Sequence, residues 1–472
     1  MCGIIGAISE NGGVAQDIYP GLWSLQHRGK ESAGIITYDG QKYHKKKDMG
    51  TVEVVFGNDA LLGLAGGAGI GHVRYSTTGP NSAENIQPVE GSFRSIPFWI
   101  GHNGNFTNTE ELRAECESKG YYFKTTTDTE VLAALIFLHG LGGQKSFEYA
   151  LKLSLKKIEG TYSIVVLYKN TVYGVVDPTA NRPLVYGEGR GLRVLASESA
   201  ACDVLGIKYL RDVGPCELII LQTTPTYLQR DHIGDHADDS SLKQKFCIFE
   251  YVYFLRPDSK FDGRRAQSTR EEMGKRLWKE SPVSADIVVP IPDSGNFAAS
   301  GLATEAGLPF VMAFFRSHYV GRTFIEPIQE RREKGLRIKL NIIPELVAGK
   351  RVVIVDDSIV RSTVIKKVIA MLREAGAKEI HVRISSPSYT HPCHYGIDTY
   401  RVKNELIAKR HGGNSEAIRE EIGADSLHHL SLEGLKESVW VSRDKTVSRF
   451  GKEQMCDACF SGTYHIPIKE RK

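Results

Sequence analysis

Long apolar runs are missing from this chain of 472 residues: no stretch approaches the ~18 consecutive apolar residues that a membrane span requires. The start has no basic region followed by an apolar core, so no secretory leader is expected. Cysteine is scarce, eight residues at irregular spacing, which argues against a disulfide framework and leaves the thiols for chemistry in a reducing, cytoplasmic setting. Net charge is also small. The balance of 60 Lys and Arg against 56 Asp and Glu gives +4 and no electrostatic case for nucleic acid or an acidic membrane as partner. Lys45-Lys46-Lys47 is short and adjoins Asp48, as a solvated turn would. There is no internal repeat and no low-complexity tract. What remains is a globular composition, 41% hydrophobic and 25% charged, in a chain long enough for two or three domains.

The first half reads as short strands, Gly-rich turns and a few helices. Gly3 to Ile8, Ala33 to Tyr38, Tyr162 to Tyr168 and Thr171 to Val176 are strand candidates, the last two joined by a Lys169-Asn170 turn. Asp128 to Leu141 is an apolar-rich helix with threonines before it that can cap it. Packed strands with helices outside indicate an α+β layered domain ending near residue 230. The polar run from Arg230 to Ser241 reads as a linker or exposed loop. Strand and helix then alternate: Asp286 to Ile291, a helix ending near Gly307, Arg351 to Val355, a helical face of Val364, Ile365, Val368, Ile369 and Leu372 closed by Gly376, and Glu379 to Ser385. That alternation indicates a parallel α/β sheet, with ligands beyond the carboxyl ends of its strands.

Chemistry is suggested first by Met1-Cys2-Gly3. Removal of the initiator Met leaves a thiol and an α-amine on one residue, a nucleophile carrying its own base. An amide substrate then requires oxyanion donors and a clamp for its charged end. Gly101-His102-Asn103-Gly104-Asn105 offers a carboxamide beside a glycine N–H, although Asn-Gly is also an ordinary turn. Gly69 to Thr77 ends a strand on Arg74 and hydroxyls, and Thr125 to Glu130 places Asp128 at a helix start.

These segments, with Gln26-His27-Arg28-Gly29, resemble in order and spacing the glutamine amidotransferases with an N-terminal cysteine nucleophile, over about the first 230 residues. The resemblance implies a four-layer αββα N-terminal-nucleophile fold over residues 2–230. It implies Cys2 as nucleophile, Asn103 and Gly104 as oxyanion hole, and Arg28, Gly29, Arg74, Thr77 and Asp128 around glutamine. Neither His27 nor His102 is given a base role.

In the second half, Val352 to Thr363 is a strand that delivers Asp356 and Asp357 to a loop of Ser358, Arg361, Ser362 and Thr363, just before a helix. Carboxylates suit ribose hydroxyls and Mg2+, and donors at a helix start suit phosphate. The run resembles the phosphoribosyl pyrophosphate signature of type I phosphoribosyltransferases. Asp293 and Ser294, Arg322 and Lys339 match further contacts of that family, with Mg2+ near Ser294, Asp356 and Asp357. Nearly the whole chain resembles the glutamine phosphoribosylpyrophosphate amidotransferases, iron–sulfur type. The implied layout adds a linker at 231–245 and, at 246–472, an α/β phosphoribosyltransferase domain with a parallel sheet and a C-terminal cluster-binding segment. The implied reaction makes 5-phosphoribosylamine, pyrophosphate and glutamate from phosphoribosyl pyrophosphate, glutamine and water, the first committed step of purine synthesis. Purine nucleotides are the expected feedback inhibitors and a homo-oligomer the expected assembly.

Cys456-Asp457-Ala458-Cys459 taken alone suggests half a zinc site or a redox pair. The resemblance joins it instead to Cys247 and Cys393 as four ligands of a 4Fe–4S cluster. Two departures stand out. Ser362 and Val364 replace the family's glycine and threonine; a positive φ at 362 would cost about 1 kcal/mol, and a lost phosphate donor at 364 about 1.5–3 kcal/mol. Lys30-Glu31 also departs from the family pattern. The alternative reading is a paralogous glutaminase with an altered phosphoribosyl acceptor site.

Overall fold

The structure, a computed structural model, describes residues 1–468 apart from 77–78, 142, 144, 224–225, 234–243, 318–339 and 443–450. Among the described residues, the first half forms two antiparallel sheets. One runs in the order Lys208–Asp212, Val185–Gly189, Leu192–Ala196, Gly3–Ser9, Ala68–Arg74, Ser32–Tyr38, Tyr43–Met49. The other runs Thr226–His232, Glu217–Thr223, Thr171–Val176, Gly160–Tyr168, Ile96–Phe106, Val89–Phe93.

Alternation along each strand builds the layers. From strand Gly3–Ser9, Ile4 and Ile8 enter the core between the sheets with Ile36, Val165 and Leu167. Ile5 and Ala7 join the opposite core with Ile18 and Leu22 of helix Val14–Ser24. Because both faces are covered, the strand reads as an unbroken apolar run. Beyond the second sheet, Ile100, Ile164 and Val166 pack with Leu132 and Leu135 of helix Thr129–Gly140 and Leu151 of helix Phe147–Leu155. The result is the expected αββα sandwich.

The second half holds four parallel strands in the order Ile287–Pro290, Arg351–Asp356, Glu379–Ile384, Ser426–His429. Helix Asn296–Ala306 ends where Gly307 turns left-handed at φ 66°, and helix Thr363–Glu374 follows the Asp356-Asp357 turn. Ile365, Val368, Ile369 and Leu372 form its buried stripe; Val364, grouped with them on sequence, is 48% exposed in the first turn.

Arg230 to His232, expected in the linker, lie in the edge strand Thr226–His232, which pairs with Glu217–Thr223. Most of the remaining linker lies outside the described residues. The chain returns against the first half, with Lys245 N donating to Thr179 O (2.7 Å) and Cys247 N to Asn181 O (3.2 Å). One apolar core then spans both halves, holding Leu22, Phe246, Tyr251 and Val355 together. No helix among the described residues is long and apolar enough to cross a membrane.

Candidate active site

Strand Gly3–Ser9 lies beside strand Ala68–Arg74, Gly3 opposite Val73, so Cys2 emerges next to Arg74 and Tyr75. The Cys2 backbone N–H donates to Asn103 Oδ1 at 3.1 Å, and the Cys2 thiol to Tyr75 O at 3.5 Å. Asn103 is fully buried, and its Nδ2 has no hydrogen-bond partner among the described residues. An unpaired buried amide donor is costly unless something is meant to occupy it. Cys2, Arg74, Tyr75, Gln87, His102, Gly104, Thr127 and Asp128 line one cavity. The structure thus gathers the expected nucleophile, oxyanion strand and both ends of the expected clamp.

Local packing explains the glycines. A Cβ on Gly104 would fall 2.0 Å from Thr161 O and 2.8 Å from His102 Nε2, so only glycine lets strand Ile96–Phe106 run this close. A Cβ on Gly29 would fall 2.5 Å from the Arg74 carbonyl; Gly29 backs the clamp residue. The Asp128 carboxylate accepts from Phe106 N at 3.0 Å, and the threonines before it do not cap the helix that follows. Burial pushes Asp128 up, but His102 and the N–H groups of Phe106 and Thr129 prevail and hold it below its usual value. Burial pushes the Cys2 thiol up, opposed by the terminal amine and the Tyr75 bond. Burial also lowers the Met1 α-amine to about 6.

Arg28 is not in this cavity. Its buried guanidinium is taken by Glu198 and, at 2.7 Å, by Glu250, partners from distant parts of the chain. Thr77 lies outside the described residues. Gln87 escaped the sequence reading: its Oε1 accepts from His102 N at 2.9 Å, and its Nε2 donates to Thr129 Oγ1 at 3.2 Å. The only sequence signal was a polar residue before Pro88.

The second cluster lies where strands Ile287–Pro290 and Arg351–Asp356 end. Asp356 and Asp357 are adjacent carboxylates, and the Ser294 hydroxyl donates to Asp356 Oδ1 at 3.3 Å. Burial and then Asp357 push Asp356 well above the usual carboxylate range; burial raises Asp357, opposed first by the Ser358 and Ser294 hydroxyls and last by Arg270. Two adjacent carboxylates, Asp357 buried and Asp356 partly exposed, both raised by desolvation, suit a cation. Ser358 donates to Asp357, Asp293 pairs with Arg316 at 2.9 Å, and Arg361 with Glu405 at 3.2 Å. Ser362 has φ −73°, so no glycine is needed there, and its hydroxyl donates to Glu421 at 2.7 Å. Thr363 opens the helix. Arg322 and Lys339 lie outside the described residues. Burial, and after it the charges of Asp357 and Asp356, raise the phenol of Tyr253.

Cys247, Cys393, Cys456 and Cys459 line a third cavity with Arg182. Cys247 and Cys456 are partners in a short parallel ladder. Among the described residues, no three His, Cys, Asp or Glu side chains converge as ligands of a single ion. Burial pushes Cys247 up to about 11 and raises Cys456 and Cys459 as well.

Comparison with known proteins places both halves of the chain in families. Residues 72–203 match the glutamine amidotransferase domain family and residues 272–396 the phosphoribosyl transferase domain family. The chain is 42% identical to the amidophosphoribosyltransferase of Methanocaldococcus jannaschii, over 100% of this chain and 99% of that one. It is 43% identical to the Bacillus subtilis amidophosphoribosyltransferase, over 99% and 94%. A solved structure of the glutamine phosphoribosylpyrophosphate amidotransferase from B. subtilis, complexed with ADP and GMP, superposes with a TM-score of 0.89 at 41% identity, covering 99% of this chain and 98% of that one. With identity at this level over nearly the full length of both chains, the chain belongs to the amidophosphoribosyltransferase family.

Proposed function

We propose that this chain moves the amide nitrogen of glutamine to the anomeric carbon of phosphoribosyl pyrophosphate, giving 5-phosphoribosylamine, pyrophosphate and glutamate, and so opens de novo purine synthesis. The observation that carries the reading is the cavity in which Cys2, Gly104, Arg74 and Asp128 meet, beside Asn103, whose Oδ1 accepts the Cys2 N–H while its Nδ2 has no partner among the described residues.

With Met1 removed, the Cys2 backbone nitrogen becomes the α-amine, held by Asn103 Oδ1. That amine takes the thiol proton, and Sγ attacks the substrate carboxamide carbon. The oxyanion is met by Asn103 Nδ2 and the Gly104 N–H. The amide nitrogen takes the proton and leaves as ammonia, and water then hydrolyses the thioester to glutamate. Arg74 holds the substrate carboxylate and Asp128 its ammonium. Ammonia passes from this site to the acceptor site, where its attack at the anomeric carbon displaces pyrophosphate.

Asp293, Ser294, Arg361, Ser362 and Thr363, with Asp356, Asp357 and Ser358, would hold the phosphoribosyl group. Mg2+, held by Ser294, Asp356 and Asp357, would neutralise charge on the departing pyrophosphate. The four thiols around one cavity fit a 4Fe–4S cluster, whose role is structural or oxygen-sensing, because the transfer needs no electrons. Purine nucleotides as inhibitors, a homo-oligomer and a cytoplasmic location complete the proposal; the nucleotides find support in the ADP and GMP of the B. subtilis complex. The paralogue alternative loses its main support, since Ser362 is unstrained and Val364 points outward.

The test is stoichiometry. With glutamine, phosphoribosyl pyrophosphate and Mg2+, glutamate and pyrophosphate should appear in equal amounts. Glutamate without pyrophosphate would leave a glutaminase only.

A further inference from the structure

We propose that Asn85 is a positioning residue of the glutamine site, bracing the segment behind Arg74 against the segment that leads to Asp128. The inference rests on the reading of Arg74 and Asp128 as the clamp for the two charged ends of glutamine.

Asn85 ends a short turn, Ala83–Asn85, and is fully buried. Its Nδ2 donates to Pro80 O at 3.0 Å and to Thr126 Oγ1 at 2.9 Å, and its Oδ1 accepts from Thr126 N at 3.1 Å. Pro80 O is also the acceptor for both terminal nitrogens of Arg74, each at 3.3 Å. One carboxamide therefore joins the carbonyl on which Arg74 rests to the backbone two residues before Asp128.

The far side of the same loop is held independently. Arg113 Nη2 donates to Thr125 O at 3.1 Å and Thr127 O at 3.3 Å, while its guanidinium lies 3.9 Å from the Phe123 ring centre. The Glu130 carboxylate accepts from Lys124 N at 2.8 Å and Thr125 N at 2.6 Å. Residues 121–127 form neither helix nor strand, so side chains must supply the partners that a ladder otherwise would. The loop ends on Thr127 and Asp128, both of which line the Cys2 cavity.

Two charged groups that grip opposite ends of one small substrate must keep a fixed separation, and a loosened pair loses binding before it loses chemistry. The test is the glutamine-dependent and ammonia-dependent kinetics of Asn85→Ala and Arg113→Met in the full-length enzyme, beside Arg74→Ala. The brace predicts that glutamine KM rises about tenfold or more in Asn85→Ala, with kcat and the ammonia-dependent rate nearly unchanged. Arg113→Met should move KM the same way by a smaller factor, and Arg113→Lys should recover part of it.

A parallel fall in kcat and in the ammonia-dependent rate, with KM unmoved, would show a merely structural residue and overturn the proposal. If Arg74→Ala leaves glutamine KM unchanged, the clamp reading itself fails; if Arg74→Ala raises KM and Asn85→Ala does not, only the brace fails. Arg113→Met, on the half-buried side of the loop, decides the question if Asn85→Ala does not accumulate as folded protein.

Discussion

Arg28 and Glu250, one from each half of the chain, form an ion pair of 2.7 Å with both side chains wholly buried. Glu250 also faces Arg182 at 3.6 Å, and Arg28 also bonds Glu198. Glu198 in turn accepts from Arg256 N and the Ser259 hydroxyl, at 2.8 and 2.5 Å. A buried pair of this kind adds little over an apolar replacement, but removing one partner strands the other. Glu250→Ala should therefore cost about 3–5 kcal/mol, read as a lower midpoint in denaturant unfolding. An unchanged midpoint would show that this ion pair does not help to hold the halves together.

The acceptor carboxylates predict how pH and Mg2+ act together. Asp356 and Asp357 are both raised in the folded state, chiefly by burial. The folded protein thus binds these protons more tightly than the unfolded chain does. The metal-free protein should lose that stability as pH rises from the ordinary carboxylate range through the raised values. A bound cation favours the ionised forms, so the thermal shift produced by Mg2+ should be larger at neutral pH than in acid. A shift of equal size at both would place Mg2+ elsewhere.

Ser362 gives a prediction opposite to the one its family position suggests. Glycine would relieve no strain at φ −73° and would delete the bond to Glu421. Ser362→Gly should lower stability by about 1 kcal/mol, measured by urea unfolding. A gain in stability would contradict the backbone geometry.

The four thiols around one cavity predict that protein purified without oxygen carries iron and acid-labile sulfide, and that Cys393→Ser loses both. A colourless, iron-free and fully active preparation would exclude the cluster.

Much of this was legible in the sequence, and for identifiable reasons. Gly3 to Ile8 and Arg351 to Val355 are apolar runs whose burial on both faces leaves no other reading. Cys2, Asn103, Arg74 and Asp128 could be gathered because each lies in a recognisable motif, three of them at an element end and Asn103 within strand Ile96–Phe106. Arg28, which the family resemblance puts beside glutamine, is instead buried against Glu198 and Glu250, 170 and 222 residues away, partners that no local period records. Asn85 and Gln87 were missed for the same reason: their partners, Thr126 for Asn85 and His102 and Thr129 for Gln87, lie on segments distant in sequence. Period alone groups Val364 with the buried face, yet it is 48% exposed while its neighbour Ile365 in the same turn is buried. The strand at 226–232 was obscured by its polar residues, which an edge position permits.

The central claim is that Cys2 makes ammonia for a separate acceptor site. The most direct measurement is pyrophosphate release by Cys2→Ala with phosphoribosyl pyrophosphate and Mg2+, using glutamine or ammonium as nitrogen source. Loss of the glutamine-dependent rate to background, with the ammonium-dependent rate retained, is the predicted result. Retention of the glutamine-dependent rate, or equal loss of both, would contradict the account.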